Sequence, residues 1–318
     1  MVKLGNGEHT YEVSGDNWGD LPEGWVYKEA TAVAVDSKDN VYVFNRGGHP
    51  VIVFDSSGRF INSWGEDVFE VPHGIEIGPD DSVYCADVST NTITKLTPEG
   101  EVIFTLGDPD NVPPAMSGDP FNRPTHIAVD PKSNDFYVSD GYGNARVHKY
   151  DSDGKHILSW GESGTDPAKL NIVHNIAVDS QGYVYIGDRE NHRVQIFDSK
   201  GNYEAQWVNM SKAAAVHVNR RGDTDLVYVG EYFAGISSNS IGTNLGPRVS
   251  IYDTSGNLLV RLSEQSYGDE PGRFYSPHAI ATDSKGDIYV AEVSHSEYGR
   301  FLEQPGELRS MQKLTKVT

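Results

Sequence analysis

Two stretches of this chain repeat one another. Residues 125–162 read THIAVDPKSNDFYVSDGYGNARVHKYDSDGKHILSWGE, and residues 174–207 read HNIAVDSQGYVYIGDRENHRVQIFDSKGNYEAQW. Each passes through an apolar strand, an Asp-rich turn, a second strand (FYVSD, VYIGD) and a loop. A third strand (ARVHKYD, HRVQIFD), a Gly turn and a fourth strand ending near Trp complete the unit. Short strands punctuated by Asp, Gly and Ser are how antiparallel meanders appear in sequence. The unit recurs from Thr31, His73, Ala214 and His278, which makes six units of roughly 40–64 residues. One meander cannot bury its apolar face alone, so successive units must pack on one another. Four-stranded sheets arranged radially do this and leave only short edges. The repeats therefore predict an all-β, six-bladed β-propeller, with residues 1–318 as a single domain.

Two irregularities refine that expectation. The last unit, ending LRSMQKLTKVT, lacks a fourth strand, whereas HTYEVSGDNWGD near the start resembles the fourth strands RFINSWGE and KHILSWGE. Residues near 9–18 are thus expected to complete blade 6, with Trp18 in the packing place of the fourth-strand tryptophans. Blade 5 carries an insertion, Phe233 to Pro247, whose Gly, Ser and Asn content marks an exposed loop over one mouth of the channel.

The chain holds 46 acidic and 26 basic residues, a formal net charge of -20. Such a surface repels phosphate, which argues against nucleic acid and anionic membranes as partners. Cys85 is the one cysteine, so no intramolecular disulfide can form. No apolar run approaches the length of a membrane span. These features lead us to expect a cytoplasmic protein. A secreted or periplasmic place stays open should a leader have been removed.

The first strand of each blade lines the channel. Aligning the six units on that strand places Thr31, His73, Thr125, His174, Ala214 and His278 at one equivalent position. Histidine occupies it in blades 2, 4 and 6 only. Alternate blades of a six-fold ring lie about 120° apart, the layout three ligands need to meet on one axial ion. Neutral imidazoles suit Zn²⁺ or another divalent transition metal, and three ligands leave a position open. Taken singly, each histidine is better explained as a hydrogen-bonded structural residue at a strand entrance. Their common register favours one shared metal.

A second register follows the second strands. It gives Asn45-Arg46, Asp87-Val88, Asp140-Gly141-Tyr142, Asp188-Arg189, Glu231-Tyr232 and Glu292-Val293. These loops are expected to ring one mouth, with Arg46, Tyr142, Arg189 and Tyr232 facing the ion. An arginine there can grip a carboxylate with two parallel hydrogen bonds. A tyrosine beside cations can act as a base. The acids of this register are expected to cap turns. For Arg189, a salt bridge between blades is an equally good account.

The repeat resembles the NHL family, most closely at NHRV (Asn191 to Val194). A narrower resemblance is carried by RPTHIAVDPKSNDFYVSDGYGNARV, FNRGGH (Phe44 to His49), VPHGI (Val71 to Ile75), GDRENHRVQIF (Gly187 to Phe197) and SPHAI (Ser276 to Ile280). These stretches resemble the lyase domain of peptidylglycine α-amidating monooxygenase. The resemblance covers blades 1 to 4 and blade 6. It implies a zinc ion on His73, His174 and His278, a catalytic tyrosine at Tyr142, and active-site arginines at Arg46 and Arg189. The implied reaction cleaves the C–N bond of an N-acyl-α-hydroxyglycine, giving an amide and glyoxylate.

The chain also departs from that pattern. Ala279 stands where the family has an aspartate that helps hold a structural calcium, so that calcium is not carried over. Ser276 replaces a methionine, Gly143 a disulfide cysteine, and His126 an acidic residue. The resembling stretches all belong to the lyase domain of that family. The expected function is a metal-dependent lyase acting on an N-acyl-α-hydroxyglycine or a related small carbinolamide, a small or peptide-derived substrate bearing a carboxylate. A metal-dependent propeller hydrolase acting on an ester or lactone is one alternative. Such hydrolases favour calcium held by oxygen ligands, which imidazoles fit poorly. A non-catalytic NHL interaction scaffold, its histidines structural, is the other.

Overall fold

The computed structural model describes residues 1–13, 16–220, 224–235, 244–263, 267–303 and 306–317. Six antiparallel sheets follow one another along the chain, five of four strands and one of five. They are the blades of a six-bladed β-propeller, as the repeats predict. No helix among the described residues is long and apolar enough to cross a membrane. The blades fall into two compact units, Met1–Ser63 with Met210–Thr318 and Trp64–Asn209.

The unit formed by residues 64–209 carries blades 2, 3 and 4. Blade 2 is Pro72–Ile77, Val83–Asp87, Thr92–Leu96 and Val102–Leu106. Blade 3 is His126–Val129, Phe136–Asp140, Arg146–Tyr150 and His156–Trp160. Blade 4 is Val173–Val178, Val184–Asp188, Arg193–Phe197 and Tyr203–Trp207. First and second strands are almost wholly buried, and so read as continuous apolar runs. Fourth strands are half exposed, as in HILSW and YEAQW, where only the closing Trp is buried. Blades 2 and 3 share a core of Tyr84, Ala86, Ile93, Phe136, Val138 and Tyr150. Blades 3 and 4 share another, with Tyr137, Val147 and Trp160 against Ile176, Val184 and Phe197.

The other unit carries blades 1, 5 and 6. Its sheet of five strands joins the two ends of the chain. His9–Val13 pairs antiparallel with Met311–Lys316, setting Tyr11 opposite Lys316 and Val13 opposite Leu314. The N-terminus thus completes blade 6, as expected. Trp18 packs edge-on against Phe54 and Tyr289, at 5.5 and 4.9 Å between ring centres. A further strand, Val2–Asn6, adds to the outside of the same sheet and was not foreseen. Nor was the short helix Ser294–Glu297 that follows the second strand of blade 6. Much of the blade 5 insertion lies outside the described residues, so its expected place over a mouth is not addressed.

The acids at the ends of the second strands hold the loops that enter the first strands. Asp87 Oδ2 accepts the backbone N–H groups of Glu70 and Val71 at 2.6 and 2.9 Å. Asp140 accepts from Asn122, Asp188 from Asn171, Glu231 from Ser211, and Glu292 from Tyr275 and Ser276. Burying a carboxylate costs free energy that these charge-assisted bonds offset. The turn-capping role expected of these acids is therefore what they perform.

Candidate metal and tyrosine site

Each channel histidine sits in a β-bulge. The pairing in blade 2 runs Pro72 opposite Asp87 and then Gly74 opposite Ala86, so the register shifts at His73. Blade 4 does the same around His174, between Val173 and Asn175. Blade 6 does so around His278, between Pro277 and Ala279. A bulged residue breaks the alternation of the strand and re-aims its side chain. All three histidines are buried.

In blades 2 to 4 the geometry closes around Tyr142. His73 Nε2 and His174 Nε2 each lie 3.0 Å from the Tyr142 hydroxyl. His73 Nδ1 lies 2.7 Å from the carbonyl oxygen of Thr125. A carbonyl only accepts, so Nδ1 carries the proton and the Nε2 lone pair of the neutral ring points at Tyr142. The hydroxyl has one proton and faces two ring nitrogens, so it can donate to only one of them. Two imidazole nitrogens converging on one point, one ring oriented by a backbone carbonyl, is the donor set a divalent transition metal takes.

Glycine makes this approach possible. A Cβ added to Gly141 would fall 2.0 Å from the carbonyl oxygen of Val173, the residue before His174. With no side chain, the Asp140-Gly141-Tyr142 turn lies directly on the strand that bears His174. Gly74 plays the same part beside His73, where a Cβ would fall 2.4 Å from the carbonyl oxygen of Thr125. Thr125, the equivalent of the histidines in blade 3, holds its hydroxyl 2.7 Å from Val173 O. It joins blades 3 and 4 rather than facing a ligand.

Two guanidinium groups flank the tyrosine. Arg189 Nη1 lies 3.5 Å from the Tyr142 hydroxyl, and its Cζ is 5.6 Å from the ring centre. Its Nε pairs with Glu190 at 2.9 Å, within its own blade. The Cζ of Arg123 lies 5.1 Å from the same ring centre. Arg123 was not singled out in the sequence. It precedes the first strand and lies outside both aligned registers. His126, the residue that departs from the family's acid, is buried, and burial pushes its imidazole down to about 4.

His278 and Arg46 belong to the other unit. His278 Nδ1 lies 2.5 Å from the carbonyl oxygen of Thr31, as His73 does from Thr125. The Tyr232 ring is 6.4 Å from its ring centre. Arg46 Nη1 pairs with Glu29 at 2.8 Å and lies 3.3 Å from Ser296 Oγ. Ser296 in turn donates to Glu29 from its amide and its hydroxyl, at 2.7 Å each. The structure thus brings His73, His174, Tyr142 and Arg189 together around one hydroxyl. It gives His278 a matching backbone anchor and gives Arg46 a carboxylate partner. His73, His174 and His278 form a buried set that could hold a metal ion.

The NHL repeat model matches residues 121–150 and 170–197. Human NHL repeat-containing protein 3 is 30% identical over 85% of this chain and 78% of its own length. The chain belongs to the NHL-repeat β-propeller family. Among its relatives are proteins named as lyases. Peptidyl-α-hydroxyglycine α-amidating lyase 1 of Drosophila melanogaster is 31% identical over 78% of this chain and 47% of its own length. Peptidyl-glycine α-amidating monooxygenase A of Xenopus laevis is 27% identical over 90% of this chain. The chain spans 33% of that relative's length. A streptogramin B lyase structure superposes with a TM-score of 0.60 at 10% identity, covering 96% of this chain and 97% of that one. A gluconolactonase from Xanthomonas campestris also superposes at 0.60, with 12% identity, over 91% and 87% of the two chains. At such identities the last two speak for the fold alone.

Proposed function

We propose that this protein is a lyase that depends on a divalent transition metal, with zinc the best fit, and cleaves the C–N bond of an N-acyl-α-hydroxyglycine or a related small carbinolamide. The observation that carries the proposal is the pair of Nε2 atoms that meet on the Tyr142 hydroxyl at 3.0 Å each. His278 is proposed as the third ligand. It holds the same bulged position in its blade, and a backbone carbonyl fixes its Nδ1 just as one fixes that of His73. Relatives named as amidating lyases and monooxygenases support the reaction class. The identities are low enough that the substrate is part of the proposal.

The chemistry needs one proton removed and one bond broken. When bound, the metal acts as a Lewis acid that makes the substrate hydroxyl more acidic. Tyr142, as tyrosinate, takes the hydroxyl proton. The oxygen electrons form the carbonyl of glyoxylate, and the C–N pair leaves to nitrogen, which takes that same proton from Tyr142 to give the amide and restore the base. Arg189 holds Nη1 3.5 Å from the phenol oxygen, where its N–H can donate to that oxygen and orient it. Arg46 is held by Glu29 and Ser296, in a fixed position rather than a free one.

Metal analysis and a glyoxylate assay on the purified protein test the proposal together. About one equivalent of zinc or another transition metal, and glyoxylate released from an N-acyl-α-hydroxyglycine, are expected. His174→Ala should lose the metal and the activity. Calcium alone would favour the hydrolase reading, and no metal the scaffold reading. Full metal content in His174→Ala would refute the shared site.

A further inference from the structure

We propose that Arg123 is the residue that binds the carboxylate of an anionic substrate beside Tyr142. The proposal rests on the lyase reading for the identity of the acid, and on its own geometry for the binding. Arg123 sits ahead of the first strand of blade 3 with a φ of 59°, a left-handed conformation that costs a residue with a side chain free energy. Its backbone is held there on both sides. Its amide donates to Asn91 Oδ1 at 2.8 Å, from a residue of blade 2 that is itself left-handed. Its carbonyl accepts from the amide of Tyr142 at 3.4 Å. The guanidinium is therefore delivered over the Tyr142 ring by a fixed backbone, although the side chain is exposed.

What sets Arg123 apart is the company it lacks. Arg46, Arg189 and Arg193 each pair with a carboxylate, from Glu29, Glu190 and Asp188. Among the described residues, the guanidinium of Arg123 makes no hydrogen bond and no ion pair. Its contact is the aromatic ring. A cavity of about 490 Å³ opens beside it, bordered by Val71, Val88, Val112, Asn91 and Asn122. Among the described residues no acidic side chain borders that cavity, in a chain with 46 acidic residues. A cation with donors to spare next to an apolar wall suits a small acid whose remaining part is apolar. The planar fork of arginine can bind such a carboxylate with two parallel hydrogen bonds.

The test uses N-benzoylglycine, an acid with no hydroxyl to react, and its neutral counterpart N-benzoylglycinamide. Calorimetric titration into the metal-loaded protein is expected to show that Arg123→Gln weakens the acid at least about tenfold, the scale of one charge-assisted hydrogen bond. The amide should bind equally to both forms, and Arg123→Lys should fall between them. Unchanged affinity for the acid in Arg123→Gln, an equal loss for acid and amide, or no binding of the acid to the native protein would each overturn the proposal. Turnover separates it from the lyase reading. Absent glyoxylate release would sink the reaction while leaving the titration to judge Arg123. Native-like KM in an active Arg123→Gln would sink Arg123 alone.

Discussion

Gly141→Ala is the substitution that most directly tests how the fold builds this site. The added Cβ would fall 2.0 Å from Val173 O, 2.6 Å from Val173 C and 2.7 Å from Val173 N. All three are backbone atoms, so no rotamer change can relieve them. Reaching even 3.0 Å, the closest contact real Cβ atoms show, requires a retreat of about 1 Å. The retreat must be made by the turn that carries Tyr142 or by the strand that carries His174, so it acts on the 3.0 Å contact between them. Overpacking of this kind costs about 1–3 kcal/mol. At about 2–4 °C per kcal/mol for a chain of this order of size, the melting temperature should fall by roughly 2–12 °C. A displacement near 1 Å at reacting groups costs about a hundredfold in rate. Glyoxylate release and a thermal melt are the two assays. Gly48→Ala, where a Cβ meets nothing within 4 Å, is the stability control. Native rate in a folded Gly141→Ala would refute the claim that this glycine sets the position of Tyr142.

Other outcomes follow from the same geometry. Tyr142→Phe should keep its metal, since the ligand nitrogens are untouched, and lose about 10²–10⁴ in kcat, the usual worth of a positioned acid–base group. Metal loss instead would make the phenol a ligand rather than a base. Arg193→Met should lower the melting temperature by roughly 10 °C, because it leaves the buried Asp188 carboxylate without its 2.7 Å partner, a loss of about 3–5 kcal/mol. A melt near the native value would show that Asn171, Asn191 and Gln195 suffice for Asp188. His126 is neutral in the fold because burial lowers its pKa from 6.5 to about 4. The stability this represents is therefore present above about pH 6.5 and is lost as pH falls towards 4. His126→Asn should reduce that acid loss by up to about 3 kcal/mol, and an unchanged pH dependence of melting would contradict the burial argument.

The blades were legible because each strand is short, apolar and bounded by Asp or Gly, so period and punctuation repeat together. The histidine register was legible for the same reason. The bulges were not, although they aim the histidines. A bulge is a shift in pairing between two strands, and His73, His174 and His278 follow Pro72, Val173 and Pro277 with no common residue before them. Arg123 was missed because its place depends on a left-handed backbone and on Asn91 of the neighbouring blade, neither of which leaves a local pattern. The strand Val2–Asn6 was missed because it repeats nothing. It hairpins onto the one N-terminal strand that does.

The net charge of -20 suggested a protein that would repel anions, yet the proposed substrate is one. The turns resolve this. Asp36, Asp55, Asp151, Asp179, Asp198, Asp253 and Asp283 each accept the backbone N–H groups two and four residues on, tightening a hairpin. A second set of acids pins the loops entering the first strands. Much of the negative charge thus belongs to the repeat and is spread over turns, where its field fades over a Debye length of about 8–10 Å. Inside that distance the local cations decide what binds. Around Tyr142 they are Arg123 and Arg189, of which only Arg189 is paired with a carboxylate. An acidic propeller can therefore select an acid, because its overall charge reports its turns and its chemistry depends on a few guanidinium groups beside one tyrosine.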